Sequence, residues 1–200
     1  MRIISGTCKG RRLIPLKGMS IRPTSDKVRE SIFNIIGQRV CGADVLDLFA
    51  GTGAFGIECL SRGANKALFV DIAKSSCDVI KQNIELCKFT SNSVVLQYDL
   101  LKILSSISNI FSKYSFNIIF MDPPYEMGFV EKILKNREFL QFFAKDTINK
   151  QDIREDDLCE DSIIILEHSI KEKIPDKLEM LDIYDQRQYG KTLISFLRSS

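Results

Sequence analysis

Apolar and polar residues alternate along the chain in blocks that predict a parallel α/β fold. Five short runs are mainly apolar, as is typical of strands buried on both faces of a parallel sheet; they lie at 45–49, 67–70, 94–96, 116–121 and 163–166. Segments with helical periodicity separate these runs, at 54–62, 74–88, 100–112 and 127–143. Strands that alternate with helices in this way indicate βαβ units.

The two ends of the chain depart from this alternation. Near the N-terminus, apolar residues at helical spacing across 28–36 predict a helix that Gly37 ends. Near the C-terminus, residues 178–184 and 191–197 are predicted strands of an antiparallel hairpin, joined by a turn. The segment 151–161 is acidic and lacks apolar periodicity, so we expect a surface insertion there.

Charge is distributed unevenly along the 200 residues. The whole chain carries +2, but residues 1–39 hold nine basic and two acidic side chains, which leaves the remainder with a net charge of −5. We therefore predict a basic N-terminal arm, residues 1–22, attached to a domain of residues 23–200. Such an arm suits a polyanionic partner, and a merely solvated, charged terminus is the alternative.

The cysteines and the hydropathy argue against several classes of protein. Six cysteines occur without a C-x-x-C pair, so neither a disulfide framework nor a zinc site is indicated, and we expect no metal. The N-terminus has charge but no apolar core of a signal peptide, and no apolar run approaches the length that spans a membrane. We expect a protein of the reducing cytoplasm that does not associate with membranes.

Four aspartates lie at the ends of successive predicted strands. They are Asp47, Asp71, Asp99 and Asp122, separated by about one βα unit each. In parallel sheets, ligands bind outside the carboxyl ends of the strands, where these side chains are expected. Core packing does not account for them, because an ionised carboxylate is costly to bury without a partner.

A glycine-rich turn follows the first of these strands. The spacing Gly51-x-Gly53-x-x-Gly56 matches a dinucleotide-binding fingerprint, with Asp71 twenty residues after Gly51. A loop of this kind suits either a nicotinamide cofactor or S-adenosylmethionine, and both remain open on this motif alone. Asp71 is a candidate for binding ribose hydroxyls, or else a helix cap; Asp99 is a candidate for the adenine amine, or else a cap.

The second motif is Asp122-Pro123-Pro124-Tyr125, directly after a predicted strand. The two prolines fix the backbone and remove two N–H donors, which leaves carbonyl groups for a ligand. Asp122 and the Pro123 carbonyl can accept the hydrogens of an exocyclic amine while Tyr125 stacks on the base. Dehydrogenase chemistry does not require this motif, so it favours a methyltransferase.

Other polar and aromatic residues are predicted to be structural. His168 is the only histidine, but it lies at a strand end far from the glycine loop in sequence, and we expect a structural role. Tyr184, Arg187 and Tyr189 are expected to serve packing and the turn of the C-terminal hairpin rather than to contact RNA.

The co-occurrence of these motifs resembles a known family. The glycine loop and Asp-Pro-Pro-Tyr resemble the amino-methyltransferases, and further segments narrow the resemblance to the bacterial 16S ribosomal RNA guanine-N2 methyltransferases. These segments are Arg2-Ile3-Ile4-Ser5-Gly6, Lys9-Gly10-Arg11, Arg22-Pro23-Thr24, Asp26-Lys27-Val28-Arg29-Glu30, Glu167-His168-Ser169 and Tyr189-Gly190-Lys191-Thr192. The resemblance covers nearly the whole chain; residues 140–162, longer and more acidic than that family implies, depart from it.

The resemblance implies a seven-stranded, Rossmann-like methyltransferase fold with a mostly parallel sheet, a C-terminal antiparallel hairpin and an N-terminal β-hairpin arm. It implies S-adenosylmethionine as cofactor and 16S ribosomal RNA, within an assembled or assembling small subunit, as partner of a monomer. The expected cofactor-binding residues are Asp47, Gly51, Thr52, Gly53, Asp71, Ile72, Asp99 and Leu100. The expected catalytic residues are Asp122, Pro123 and Tyr125, and the expected RNA-binding residues are Arg2, Lys9, Arg11, Arg12 and Arg22.

Three alternatives remain open from the sequence. An adenine-N6 methyltransferase acting on DNA or RNA would use the same Asp-Pro-Pro-Tyr chemistry. A nicotinamide-dependent oxidoreductase would use the same glycine spacing. A non-catalytic RNA-binding module would retain the fold, although it would require neither motif.

Overall fold

The chain divides into two compact units, Met1–Leu100 and Leu101–Ser200. The computed structural model describes residues 1–16, 26–103, 114–140, 162–172, 174–175 and 178–199. The predicted insertion at 151–161 and the predicted RNA-binding Arg22 lie outside the described residues. The same holds for most of the predicted helix at 100–112, of which the structure describes the first turn.

The first unit contains a parallel sheet with connecting helices. Its elements are α1 (Asp26–Ile36), β1 (Asp44–Leu48), α2 (Ala54–Ser61), β2 (Lys66–Asp71), α3 (Lys74–Leu86) and β3 (Ser93–Gln97), with short 3-10 helices at Gly37–Val40 and Thr90–Asn92. Strand β2 pairs in parallel with both β1 and β3. It is buried from Ala67 to Val70, which agrees with its apolar sequence and with neighbours on both sides.

A two-stranded N-terminal arm belongs to the same unit. The N–H of Ile3 donates to the carbonyl of Arg11, the N–H of Gly10 donates to the carbonyl of Ile3, and Arg2 and Arg12 form an antiparallel bridge. Ile3 and Leu13 are buried. The predicted N-terminal hairpin is therefore present, and two of its apolar residues lie in the interior.

The described residues of the second unit contain three helical segments and four strands, the last two of which form the C-terminal hairpin. Helix α4 (Leu100–Ile103) begins at the boundary, and β4 (Ile118–Met121), α5 (Phe129–Leu134), β5 (Ile163–Ser169), β6 (Leu181–Tyr189) and β7 (Thr192–Ser199) follow. Strands β4 and β5 are parallel, and β7 pairs antiparallel with both β5 and β6. The described strands number seven, and the predicted C-terminal antiparallel hairpin is confirmed.

The predicted position of the hairpin turn was wrong. The polar run at 186–190 was assigned to the turn, but β6 continues to Tyr189, and the chain reverses at Gly190 and Lys191. Strand β6 is largely exposed, so polar side chains occupy it without cost. Gly190 has φ +63°, the left-handed conformation that a tight reversal requires.

The predicted helix at 127–143 begins at Phe129 and is interrupted within its described part, which ends at residue 140. Gly128, with φ +71°, precedes α5, which ends at Leu134. The chain becomes helical again at 137–140, and the Oδ1 of Asn136 accepts the N–H of Phe139 over 2.8 Å. An asparagine side chain that caps a helix in this way starts a new helical segment, which apolar periodicity alone does not reveal.

The described part of the chain offers no spanning or metal-binding feature. No helix among those residues is both long and apolar enough to cross a membrane. No cluster of three or more metal-binding side chains occurs among them either.

Candidate active site and basic arm

The glycine loop links β1 to α2 through three backbone conformations with positive φ. Phe49, Gly51 and Gly53 have φ of 57°, 56° and 74°. The N–H of Gly53 donates to the carbonyl of Ala50 over 2.7 Å, which closes the turn. A Cβ on Gly51 would meet only the carbonyl of Phe49, at 3.9 Å, so the outer side of the loop is open to a ligand.

Gly56, the third glycine of the fingerprint, serves packing. A Cβ added there would lie 2.4 Å from the Cε1 of Phe69 on β2. The absence of a side chain therefore lets α2 approach the sheet closely.

Asp47 lies beneath the glycine loop rather than on its open side. The side chain is buried, and its Oδ2 accepts the N–H of Gly56 over 3.0 Å. Burial raises the pKa of Asp47 to about 8; the hydrogen bond from Gly56 opposes this, and the charge of Asp71 adds to it. The sequence predicts Asp47 as a cofactor contact. In the structure its buried carboxyl group instead accepts a hydrogen bond from the backbone of Gly56, at the start of α2.

Asp71 also holds the glycine loop, but from an accessible position. Its Oδ2 accepts the N–H of Gly51 over 2.9 Å, and its Oδ1 accepts the N–H of Ala73 over 2.8 Å. The residue is half-buried, and each carboxylate oxygen has a second lone pair. Asp71 can therefore orient the loop and still accept a ribose hydroxyl.

An apolar surface lies beside Asp71 at the ends of β2 and β3. Ile72 is 61% exposed, unusual for an isoleucine, and Tyr98 is also exposed. The N–H of Tyr98 donates to the carbonyl of Asp71 over 2.9 Å, and the Nε2 of Gln97 donates to the carbonyl of Ile72 over 3.3 Å. Ile72 was predicted to bind cofactor, whereas Tyr98 was missed, although its place directly before Asp99 was a signal.

Asp99 and Leu100 lie at the start of α4. Asp99 is half-buried and directly precedes the helix, a position from which a carboxylate can cap the helix or accept a hydrogen bond from an adenine amine. Leu100 is buried, so only its backbone is available to a ligand.

The Asp-Pro-Pro-Tyr motif follows β4 in the second unit. Pro123 is buried, Asp122 is half-buried, and Tyr125 is 38% exposed. The hydroxyl of Tyr125 donates to the Oε1 of Glu167 over 3.0 Å and lies 3.1 Å from the Oγ1 of Thr192. The hydroxyl end of the exposed ring is therefore fixed by hydrogen bonds, and the ring can serve as a surface on which a base stacks.

Glu167 and Thr192 are the partners that sequence reasoning missed. Both are buried, on β5 and β7 respectively. Burial and, next, the charge of Glu167 raise the pKa of Tyr125 well above its usual value, so the hydroxyl stays protonated. The segments Glu167-His168-Ser169 and Tyr189-Gly190-Lys191-Thr192 carried part of the family resemblance, but nothing in the sequence connected them to Tyr125.

His168 has a structural environment, as expected. It is buried, its Nε2 lies 2.9 Å from the Oγ of Ser195, and its Nδ1 lies 3.2 Å from the carbonyl of Ser169. Burial lowers its pKa, so the imidazole is neutral near pH 7. Tyr184 likewise packs on Phe196, with ring centroids 6.1 Å apart.

The basic arm is docked by buried polar residues while its charged residues point outward. The backbone N–H groups of Ile4 and Ser5 donate to the buried carboxylate of Glu58 over 2.7 and 2.9 Å. Gly6 lies so close to α2 that an added Cβ would be 1.7 Å from the carbonyl oxygen of Ser61. The four described residues predicted to bind RNA are exposed: Arg2, Lys9, Arg11 and Arg12.

One basic residue of the N-terminal region is structural. Arg29 on α1 is buried, and its Nη2 donates to the carbonyl of Arg2 over 2.6 Å and to Asp26 over 2.8 Å. Arg29 therefore ties the arm to α1, and its charge is not available to an RNA.

Comparisons with known proteins show the family of the chain. Residues 1–198 match the family model described as "Conserved hypothetical protein 95". The chain is 34% identical over 198 residues to "Putative rRNA methyltransferase YlbH" of Bacillus subtilis (strain 168), across 99% of this chain and 98% of that protein. It is 33% identical over 135 residues to "Ribosomal RNA small subunit methyltransferase D" of Haemophilus influenzae, across 67% and 68% of the two chains.

The fold is shared with solved structures. One described as "Putative methyltransferase yhhF from Escherichia coli" superimposes with a TM-score of 0.75, across 100% of this chain and 98% of that chain, at 23% identity. The predicted fold class is therefore confirmed.

Proposed function

The chain belongs to the family described as Conserved hypothetical protein 95, and we propose that it transfers a methyl group from S-adenosylmethionine to the exocyclic N2 amine of a guanine in 16S ribosomal RNA. The observation that carries this proposal is the Asp122-Pro123-Pro124-Tyr125 motif, in which the hydroxyl of Tyr125 is hydrogen-bonded to Glu167. The same chain has a glycine loop with open space beside Gly51. Its relatives in Bacillus subtilis and Haemophilus influenzae are named as ribosomal RNA methyltransferases.

The residues of the first unit suit the methyl donor. The open side of the Gly51 turn offers a surface for the amino-acid end, Asp71 offers carboxylate lone pairs to a ribose, and exposed Ile72 offers an apolar face to adenine. S-adenosylmethionine would supply the methyl group from its sulfonium sulfur and leave as S-adenosylhomocysteine, and the methylated amine would release one proton to solvent.

The residues of the second unit suit the acceptor amine. The lone pair of a guanine amine is delocalised into the ring, which makes the nitrogen a poor nucleophile. Hydrogen bonds from the amine to Asp122 and to the Pro123 carbonyl favour a tetrahedral nitrogen whose lone pair is available for attack. Tyr125 holds the base by stacking, and well-oriented reactants gain up to about 7–11 kcal/mol from positioning alone.

The arm suits the phosphate backbone of an RNA. Arg2, Lys9, Arg11 and Arg12 are exposed on a docked hairpin, so they can contact phosphates without reading sequence. These contacts offset the cost of unstacking the target base, which is a few kcal/mol. We propose that Arg22 contacts the RNA as well. We take the substrate to be a small ribosomal subunit, assembled or assembling, bound by a monomer in the cytoplasm.

None of the observations favours the competing functions. An oxidoreductase would not need the Asp122–Tyr125 motif, and a non-catalytic RNA-binding module would need neither that motif nor the glycine loop. An adenine-N6 methyltransferase would use the same motif, but relatives named as ribosomal RNA methyltransferases do not favour a DNA substrate.

The proposal is tested by supplying labelled S-adenosylmethionine with small ribosomal particles from cells that lack the modification, with naked 16S RNA and with duplex DNA. We expect label in the 16S RNA, with particles as the better substrate. Label in DNA alone, or tighter binding of NAD than of S-adenosylmethionine in calorimetry, would overturn it.

A further inference from the structure

Asn83 of α3 connects the basic arm to the glycine loop. Its side-chain Oδ1 accepts the N–H of Ile14 over 2.7 Å, and its Nδ2 donates to the carbonyl of Ile14 over 3.1 Å. The same Nδ2 donates to the carbonyl of Thr52 in the glycine loop over 3.0 Å. One amide group therefore holds two segments that are 38 residues apart in sequence, Ile14 and Thr52.

The environment of Asn83 makes these bonds costly to break. The side chain is fully buried, and each of its two polar atoms has a partner. A buried donor or acceptor that loses its partner costs more free energy than an average hydrogen bond contributes. Neither Ile14 nor Thr52 can shift away without leaving the Asn83 amide or its own backbone group unpaired.

The two segments that Asn83 joins have different proposed partners. Ile14 lies two residues after Arg12 of the proposed RNA surface, and Thr52 lies between the two glycines of the proposed donor loop. A second contact also joins the arm to the glycine loop: the Oγ1 of Thr52 lies 3.7 Å from the Sδ of Met1, the first residue of the arm.

We propose that Asn83 is a positioning residue that couples RNA binding at the arm to donor binding at the glycine loop. The inference rests on the proposed function. An RNA that contacts the docked arm restricts the fluctuations of the Ile14 backbone and, through the Asn83 amide, those of the Thr52 carbonyl. The donor then binds a loop that is already fixed, and the two ligands raise each other's affinity by the same factor.

The test is the reciprocal effect of the two ligands in the full chain. S-adenosylhomocysteine, which cannot transfer a methyl group, serves as donor-site probe, and unmodified small ribosomal particles serve as RNA probe at one fixed salt concentration. We expect saturation with S-adenosylhomocysteine to raise the affinity for particles by about fivefold or more, the lower end of common coupling factors. Particles should raise the affinity for S-adenosylhomocysteine by the same factor.

Two variants separate coupling from a merely structural role. Asn83→Asp keeps the size and the acceptor for the Ile14 N–H but loses the donor to both carbonyls, so the coupling factor should fall to about one. Ser61→Ala loosens the arm at another point, because the Oγ of Ser61 accepts the N–H of Cys8 and donates to the carbonyl of Ser5. This control should bind particles more weakly but keep a coupling factor above one.

The outcomes distinguish this inference from the proposed function. A coupling factor of one in the unmodified chain overturns the inference without any variant, even where methyl transfer to 16S RNA is observed. Retention of the full factor in a folded Asn83→Asp chain overturns it as well. Absence of binding to S-adenosylhomocysteine or to particles in the unmodified chain overturns the proposed function and, with it, the inference.

Discussion

The glycine loop of the first unit and the Asp122–Tyr125 segment of the second are held in opposite ways. In the first, buried side chains bind backbone groups: Asp47 binds the N–H of Gly56, and Asn83 binds the carbonyl of Thr52. In the second, prolines hold the backbone, and buried Glu167 binds a side-chain hydroxyl. The first region thus presents backbone to a ligand, and the second presents side chains.

This difference indicates which changes each region tolerates. A site made of backbone is damaged by added atoms, whereas a site made of side chains is damaged by the loss of polar atoms. The consequences differ too, since damage to the first region should affect donor binding and stability, and damage to the second should affect turnover.

The largest effect is expected in the second region. Replacement of Asp122 by Ala removes one acceptor for the amine hydrogens, and kcat should fall about hundredfold to thousandfold, as when a preorganised hydrogen-bonding group is lost. Affinity for S-adenosylmethionine, measured by calorimetry, should be unchanged. Near-normal turnover would show that Asp122 has no role in the mechanism. A loss of donor affinity would contradict the assignment of donor binding to the first region and of turnover to the second.

The second effect concerns the pH dependence of stability in the first region. The folded-state pKa of Asp47 is about 8, above its ordinary value near 4, so the folded chain retains a proton that the unfolded chain releases. The contribution of Asp47 is full below pH 4 and declines as pH rises towards 8. Relative to Asp47→Asn, the unfolding free energy should fall by about 1 kcal/mol per pH unit between pH 5 and 7.

Urea denaturation of both chains at pH 5, 6 and 7 measures this slope. Parallel curves for the unmodified chain and Asp47→Asn would show that Asp47 is ionised throughout this range.

The third effect concerns stability: at position 56 of α2 we expect alanine to be less favourable than glycine. Alanine usually stabilises a helix relative to glycine by about 1 kcal/mol. Gly56→Ala should instead destabilise the chain by about 1–3 kcal/mol, because its Cβ would lie 2.4 Å from the Cε1 of Phe69. Ser75→Ala, at an exposed position of α3, is the control for a change to alanine in a helix. A Gly56→Ala chain as stable as the unmodified one would contradict the close packing of α2.

The smallest effect concerns the anchor of Tyr125. Tyr125→Phe keeps the ring but loses both hydrogen bonds, so kcat should fall about threefold to tenfold, as for the loss of one or two net hydrogen bonds. Glu167→Gln should have a smaller effect, and none when added to Tyr125→Phe. Ser195→Ala, which removes a partner of His168, is the control for stability; independent effects of Glu167→Gln and Tyr125→Phe would show that Glu167 acts elsewhere.

The sequence predicts well those features that depend on neighbouring residues. The alternation of strands and helices, the glycine loop and the rigid Asp-Pro-Pro-Tyr turn all follow from local spacing and backbone chemistry. The end of β6 and the interruption after α5 do not. The first depends on the exposure of the strand, and the second on the side-chain cap of Asn136.

The supporting residues of the site are the least predictable. Glu167 and Thr192 lie 42 and 67 residues from Tyr125, and Asn83 lies 31 residues from Thr52, so no local pattern joins them. Asp47 shows the same limit. Its position at the end of a strand suggested an accessible carboxylate, but accessibility depends on how closely α2 packs against the sheet through Gly56.

The most direct test of the proposed chemistry is the identity of the methylated nucleoside. Unmodified small ribosomal particles are incubated with labelled S-adenosylmethionine and this protein, and the 16S RNA is digested and its nucleosides separated. Label in N2-methylguanosine is the predicted result. Label in N6-methyladenosine would be consistent with the fold and with the proposed binding of an exocyclic amine by Asp122 and Pro123. It would contradict the assignment of the target as the N2 amine of guanine.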